Sequence, residues 1–254
     1  GKCVVVANYG SGSVASFPVE PDGKLGEASS FFQHQGKSVH PRRQEGPHAH
    51  GVTFDAAGRF VFVPDLGLDQ ILVYRVDAGT GKLTPHDPPS VAVAPGSGPR
   101  HFAFHPNGRA AYAINELACT VSVFDYDSSN GQLRLKQTVS TLPDGFSGDN
   151  TTAEIEIDRR GRFLFASNRG YDSLATFAVS RAGTLRLVGH TSTQGKTPRH
   201  FAIDPSGEWI WVGNQSSNTL VLFRLDPKTG VLVPGGKTIE LGAPVCITYL
   251  RAGE

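Results

Sequence analysis

The chain contains no methionine, and its three cysteines, Cys3, Cys119 and Cys246, stand at unrelated spacings. An odd number without a paired pattern supports neither a disulfide framework nor a zinc motif, so they read as reduced, small apolar residues. No apolar run approaches the length that crosses a bilayer, and no segment has the order of a signal peptide. An excess of charge is also missing. The 24 Lys and Arg balance 23 Asp and Glu, leaving no basic field for nucleic acid. Neither nucleic acid nor membrane is expected as a partner, and the cytoplasm is the default compartment. The opening residues, GKCVVVANYG, already read as strand, so the expectation is a fragment or processed chain whose N-terminal part is missing.

What is present is a repeat. A run from Gly to Asn or Asp recurs as GKCVVVAN, GRFVFVPD, GRAAYAIN, GRFLFASN and GEWIWVGN. Its register glycines are Gly1, Gly58, Gly108, Gly161 and Gly207, and Gly253 falls in register at the end. At fixed offsets follow an apolar residue (Val14, Ile71, Val121, Leu174, Leu220), an aromatic (Phe17, Tyr74, Phe124, Phe177, Phe223) and then Gly-x-Leu. Another short strand precedes each later glycine: HGVTF, RHFAF, AEIEI, RHFAI and finally VCITY. Four short antiparallel strands at this period are the signature of a β-propeller blade. The chain is therefore expected to be all-β, one propeller domain over 1–254, with five blade-equivalents near 1–57, 58–107, 108–160, 161–206 and 207–254. The final VCITYL has the pattern of a strand that could complete a blade begun elsewhere in the chain, which leaves two options, an open fragment or a ring closed as five blades.

The register also aligns the chemistry. Where the first strand of each unit begins stand His50, Arg100, Ala153, Arg199 and Val245, and one residue later Gly51, His101, Glu154, His200 and Cys246. Just past the second strand stand Tyr9, Leu66, Glu116, Arg169 and Gln215. The two strands form a hairpin, so these positions share one edge of each blade, and with the first strand innermost they converge on one mouth of the central channel. Structural positions repeat, whereas these vary. Three arginines offer planar forks for carboxylate or phosphate, and His and Glu offer acid–base groups, so the mouth is expected to bind a small anion.

Other motifs carry less. His48 and His50 in QEGPHAHG would share a face of a strand. A metal there would need His101, His200 or Glu154 beside cationic arginines, so no metal and no cofactor is expected. The loop DGFSGDN lacks EF-hand spacing, and GSGPRHF leads into a strand and offers no helix N-terminus for a phosphate.

The segments VVANYGSGSVASFPV, RQEGPHAHGVTFDAAGRFVFVPDLGLDQILVYRVD, GPRHFAFHPNGRAAYAINEL, STLPDGFSGDNTTAEIEI, FLFASNRGYDSLATFAV and TPRHFAIDPSGEWIWVGNQSSNTLVLF resemble the lactonase family of β-propellers. That family includes bacterial 6-phosphogluconolactonases and is similar to the fungal carboxymuconate cyclising enzymes. The resemblance implies a seven-bladed fold, of which two blades and one strand would lie upstream of Gly1, together with one wall of the pocket. For the cyclising branch it places a His, two Arg and a Glu on His48 or His50, Arg100, Glu116 and Arg169.

The expected activity is hydrolysis of a sugar lactone such as 6-phosphogluconolactone. Arg100, Arg169 and Arg199 would hold the anion, aided by His101, His200 and Glu154. His50 would act as base, with Glu116 orienting it or acting in its place. His48 would reach the same pocket or shape the turn. The alternatives are a carboxymuconate lactonising isomerase and a non-catalytic binding scaffold.

Overall fold

The computed structural model describes residues 1–250, so the register position Gly253 lies outside the described residues. The repeat becomes sheets because its turns are chemically fixed. The register glycines Gly58, Gly108, Gly161 and Gly207 all take φ near +65° to +77°, the left-handed region that other residues avoid. In three of these turns an aspartate caps the next strand: Asp55 Oδ1 accepts the Arg59 and Phe60 amides, and Asp158 and Asp204 do the same two and three blades on.

The first sheet has three strands, β1 (Cys3–Asn8), β2 (Ser13–Pro18) and β3 (Ser30–Gln33). Four four-stranded antiparallel sheets follow. The second blade is β4 (Thr53–Phe54), β5 (Phe60–Asp65), β6 (Gln70–Val76) and β7 (Leu83–Ala92), and the third is β8 (Pro99–Phe104), β9 (Ala110–Asn115), β10 (Thr120–Asp127) and β11 (Gln132–Ser140). The fourth is β12 (Thr151–Ile157), β13 (Phe163–Arg169), β14 (Ser173–Val179) and β15 (Leu185–Ser192). The fifth is β16 (Pro198–Ile203), β17 (Trp209–Asn214), β18 (Thr219–Leu225) and β19 (Leu232–Glu240). Each is ordered as in the sequence, and β8, β12 and β16 lie side by side as the innermost strands. The all-β propeller read from the repeat is the observed architecture.

The core lies between blades, as a stack requires. One apolar cluster joins blades three and four through Tyr112, Ile114, Leu164 and Phe177, and another joins four and five through Phe163, Phe165, Ile210 and Phe223. Each fully buried Phe or Leu contributes about 1.5–3 kcal/mol relative to exposure. The recurring Asn is a buried staple between blades: Asn168 Nδ2 donates to the Thr141 carbonyl and Asn214 Nδ2 to the Thr193 carbonyl. In the second blade Asp65 replaces that Asn. Its Oδ2 lies 2.7 Å from His34 Nδ1, and its Oδ1 accepts the His48, Gly67 and Leu68 amides.

Closure of the ring by VCITYL is not what the structure holds. Residues 245–250 form no strand, and among the described residues β1 pairs only with β2. The segment stays on the fifth blade, where the Ile247 amide donates to His200 Nδ1 and Pro244 lies against Gly213, so it does not reach β1.

Candidate active site at the channel mouth

Adjacent strand residues such as Arg100 and His101 ought to face opposite ways. A bulge in the inner strand changes that. Pairing passes from Pro99↔Asn115 to His101↔Ile114, from Pro198↔Asn214 to His200↔Gly213, from Thr152↔Asn168 to Ile155↔Ala166, and from Ala49↔Asp65 to Thr53↔Phe62. Each inner strand thus carries one extra residue, and a bulge re-aims the side chains beside it. This is why two neighbouring positions per blade, His50–Gly51, Arg100–His101, Ala153–Glu154 and Arg199–His200, all serve the mouth.

Two carboxylates organise these groups. Glu116, just past β9, is buried and faces three guanidinium groups. Arg43 Nη2 donates to its Oε1 at 2.5 Å, Arg169 Nη2 lies 3.0 Å from Oε2, and Arg100 Nε lies 3.1 Å from Oε2, a contact of charge off the hydrogen-bonding direction. Arg100 also donates to the Ala153 carbonyl at 2.7 Å, and Arg169 to the Thr152 carbonyl at 2.7 Å. Burial opposes ionisation of Glu116, but Arg169, Arg43 and Arg100 outweigh it and hold the carboxyl below its ordinary range.

Glu154, one blade on, sits between two imidazoles. His101 Nδ1 is 2.9 Å from both carboxylate oxygens, and His200 Nε2 is 3.1 Å from Oε2. Burial again opposes the charge, and His101 and His200 keep Glu154 ionised. These three residues line a cavity of about 220 Å³ with Gly51, Val52, Thr53 and Phe102. Below them, two residues along β12, Glu156 accepts the Ile203 amide at 2.8 Å, and burial beside Glu154 pushes its pKa up to about 8.

His50 is placed at the mouth, edge-on to Tyr9 and to His101 with ring centroids 5.3 and 5.2 Å away. It makes no hydrogen bond to Glu116, and its buried Nδ1 has no protein partner. Burial, then Arg100, His101 and Arg199, push its pKa down to about 2. Glu116, expected to orient His50 or act in its place, faces Arg43, Arg100 and Arg169 instead, and His50 is disfavoured as a cation by burial first and then by the arginines. His48 lies just before the Ala49–Asp65 bridge. Its amide donates to Asp65, its Nδ1 lies 3.0 Å from the Tyr9 carbonyl and its ring stacks on Tyr9 at 4.6 Å. Arg199 lies near enough to His50, Arg100 and Arg169 to weaken their positive forms, and among the described residues it makes no ion pair.

Arg43 is a site residue that the repeat frame does not reveal. It lies on the long connection between β3 and β4, which has no counterpart in the other blades. That strap is pinned from several sides: Gln44 Nε2 donates to the Leu66 carbonyl, Ser38 Oγ to Asp69, and Pro47 lies against Gly12. The signal was there in the spacing of 57 residues between Gly1 and Gly58, the largest between register glycines.

The fold and this mouth define a β-propeller whose channel opens through a built cluster of arginine, glutamate and histidine. The chain belongs to the lactonase family of seven-bladed β-propellers, whose model matches residues 1–249. It is 39% identical over 249 residues to a 6-phosphogluconolactonase of Bacillus subtilis, a match over 98% of this chain and 70% of that one. To a 6-phosphogluconolactonase of Formosa agariphila it is 38% identical, over 91% of this chain and 66% of the relative. The solved structure of a periplasmic gluconolactonase from Pseudomonas aeruginosa superposes with a TM-score of 0.92 at 40% identity, covering 99% of this chain and 70% of that one. The chain thus spans about two thirds of the length of these relatives. Among the described residues no helix is long and apolar enough to cross a membrane.

Proposed function

We propose that this chain hydrolyses a phosphorylated sugar lactone, 6-phosphogluconolactone, at the channel mouth. The observation that carries the reading is the division of labour among the arginines. Arg100 and Arg169 are fixed by Glu116 and by carbonyls, whereas Arg199 has no ion-pair partner among the described residues and Arg43 is half-exposed. Fixed guanidinium groups suit a carbonyl oxygen that gains charge as water adds, because they need no reorganisation. A free one suits an anion that arrives with the substrate. The names of the relatives, 6-phosphogluconolactonase and gluconolactonase, support the same reaction class.

In this reading Arg199, with Arg43, takes the phosphate. His50, held neutral, gives or accepts a hydrogen bond at the lactone ring without adding charge. Removing one donor to a developing oxyanion costs about 10²–10³ in kcat, so Arg169→Gln is expected to lose that much. The test is direct assay of freshly made 6-phosphogluconolactone and of unphosphorylated gluconolactone, following acid release at constant pH. Hydrolysis of the phosphorylated substrate above the spontaneous rate, with a lower KM than for gluconolactone, is expected. No acceleration of either would overturn the reading, and release of neither acid with turnover of a carboxymuconate would replace it by the isomerase.

A further inference from the structure

Hydrolysis of a lactone needs a group that takes a proton from water, and the arginine cluster leaves neither Glu116 nor His50 suited to it. Glu116 is held ionised by three cations, which lowers its affinity for a proton, and His50 stands in the field of Arg100 and Arg199 with no carboxylate to balance an imidazolium. The row His101, Glu154 and His200 is different. These residues occupy the same register position in three successive blades, and the bulges beside them aim all three into one cavity.

The hydrogen bonds assign the tautomers. His200 Nδ1 accepts the Ile247 amide at 3.3 Å, so its Nε2 carries the hydrogen and stands 3.1 Å from Glu154 Oε2, a contact of charge off the hydrogen-bonding direction. Neither nitrogen is left with a free lone pair. His101 places Nδ1 2.9 Å from both oxygens of the ionised Glu154, so Nδ1 carries the hydrogen and Nε2 holds the lone pair. The nearest cation, Arg100 Nη1, lies 3.4 and 3.3 Å from the two ring nitrogens. That contact is long and shared between both nitrogens, so a water in the cavity competes with it for the Nε2 lone pair, on a side chain 26% exposed and backed by a buried carboxylate.

We infer that His101 is the general base of this site, with Glu154 as the positioning residue that holds its tautomer and balances its charge, and His200 as the imidazole that faces Glu154 from the other side. The inference rests on the lactonase reading. Water in the cavity gives a proton to His101 Nε2 as its oxygen bonds to the lactone carbonyl carbon, and the carbonyl π pair moves to the oxygen facing the arginines. Collapse of that oxyanion breaks the ring carbon–oxygen bond, and the departing alkoxide takes the proton back from His101. Lactone and water become the hydroxy acid, with nothing oxidised or reduced. The groups facing His101 are Glu154, Arg100, His50 and, across the carboxylate, His200. Of these only Glu154 stabilises an imidazolium.

The experiment compares wild type, His101→Gln, Glu154→Gln and His50→Gln for kcat and KM on 6-phosphogluconolactone across pH, with calorimetric binding of 6-phosphogluconate as a measure of an intact pocket. His101→Gln is expected to lose at least 100-fold in kcat with KM and product affinity within about threefold. Glu154→Gln is expected to lose at least tenfold, with the acid limb of its pH–rate profile moved to lower pH, a shift that mere loosening of the fold would not produce. His101→Gln retaining more than a tenth of kcat, or His50→Gln losing more than His101→Gln, would overturn the inference and leave the lactonase reading standing. If His101→Gln fails to bind product, the unmoved or moved acid limb of Glu154→Gln decides. A wild type without lactone hydrolysis would remove the reading and the inference together.

Discussion

Arg43 and Glu116 lie 73 positions apart and meet at 2.5 Å, so the strap before the second blade is tied to the end of the second strand of the third. The two ends of this pair differ in environment. Arg43 has 37% of its side chain exposed and Glu116 has 5%. Breaking the pair from the exposed end, as Arg43→Gln, leaves Glu116 with two cations and is expected to cost about 1 kcal/mol or less in denaturant unfolding. Breaking it from the buried end, as Glu116→Gln, strands Arg100 and Arg169 without a counter-charge and is expected to cost about 3–5 kcal/mol. Equal losses would contradict the division between a fixed and an exchangeable arginine.

Arg199→Gln separates binding from folding. With no ion pair to break among the described residues, its unfolding free energy is expected to stay within about 0.5 kcal/mol of wild type. Its affinity for 6-phosphogluconate should fall at least tenfold, as read by calorimetry. Unchanged affinity would take Arg199 out of the anion site.

The dependence of stability on pH follows from opposed groups. His50 is held down from 6.5 to about 2, so as pH falls below 6.5 the unfolded chain gains a proton that the folded one refuses, and stability drops. His200, also lowered by burial, acts in the same sense. Glu156 is raised from 4.5 to about 8, so between those values the folded state keeps a proton that the unfolded state releases, and stability drops as pH rises. From 4.5 to 6.5 the two trends oppose each other. Below 4.5 the contribution of Glu156 is complete and constant, and the lowered Glu116 and Glu154 add to the loss. Urea midpoints are expected to be nearly level from pH 4.5 to 6.5, to fall steeply below and gently up to pH 8. Glu156→Gln should abolish the decline above 6.5, and a decline that persists would assign it to another group.

Gly67 tests the strap. A Cβ there would lie 1.8 Å from the Gly46 carbonyl oxygen and 3.0 Å from the His48 amide, both backbone atoms that cannot turn aside. Gly67→Ala is therefore expected to displace residues 46–48 and lower the melting temperature by several degrees, an effect of about 1–3 kcal/mol. Because Arg43 rides on the same strap, product affinity should weaken as well. Normal affinity in a destabilised variant would show that the strap does not place Arg43.

The propeller was legible because structural positions are filled alike in each repeat: Gly58, Gly108, Gly161 and Gly207 close the same turn, and Phe124, Phe177 and Phe223 fill the same core site. The mouth was legible for the opposite reason, since Arg100, Glu154 and Arg199 break the repeat. What could not be read was which side chain meets which. Glu116 pairs with arginines from three different parts of the chain instead of with His50, a choice set by distances across blades. Nor does periodicity show the bulges, because alternation alone would send Arg100 and His101 to opposite faces. Of the two options for the chain, open fragment or closed ring, the sequence could not choose, and the described part of VCITYL lies on the fifth blade beside His200.

The extra residue in each inner strand has a consequence for how such a molecule changes over time. It lifts the reactive positions out of the ladder that the outer strands share, so His50, Arg100, Ala153 and Arg199 stand where His, Arg and Ala are all accommodated by one backbone. Heritable variation at these positions can alter the charge and shape of the mouth while the inter-blade core is inherited intact. A stack of this kind can be copied, blade by blade, and each copy given a different side chain at the mouth.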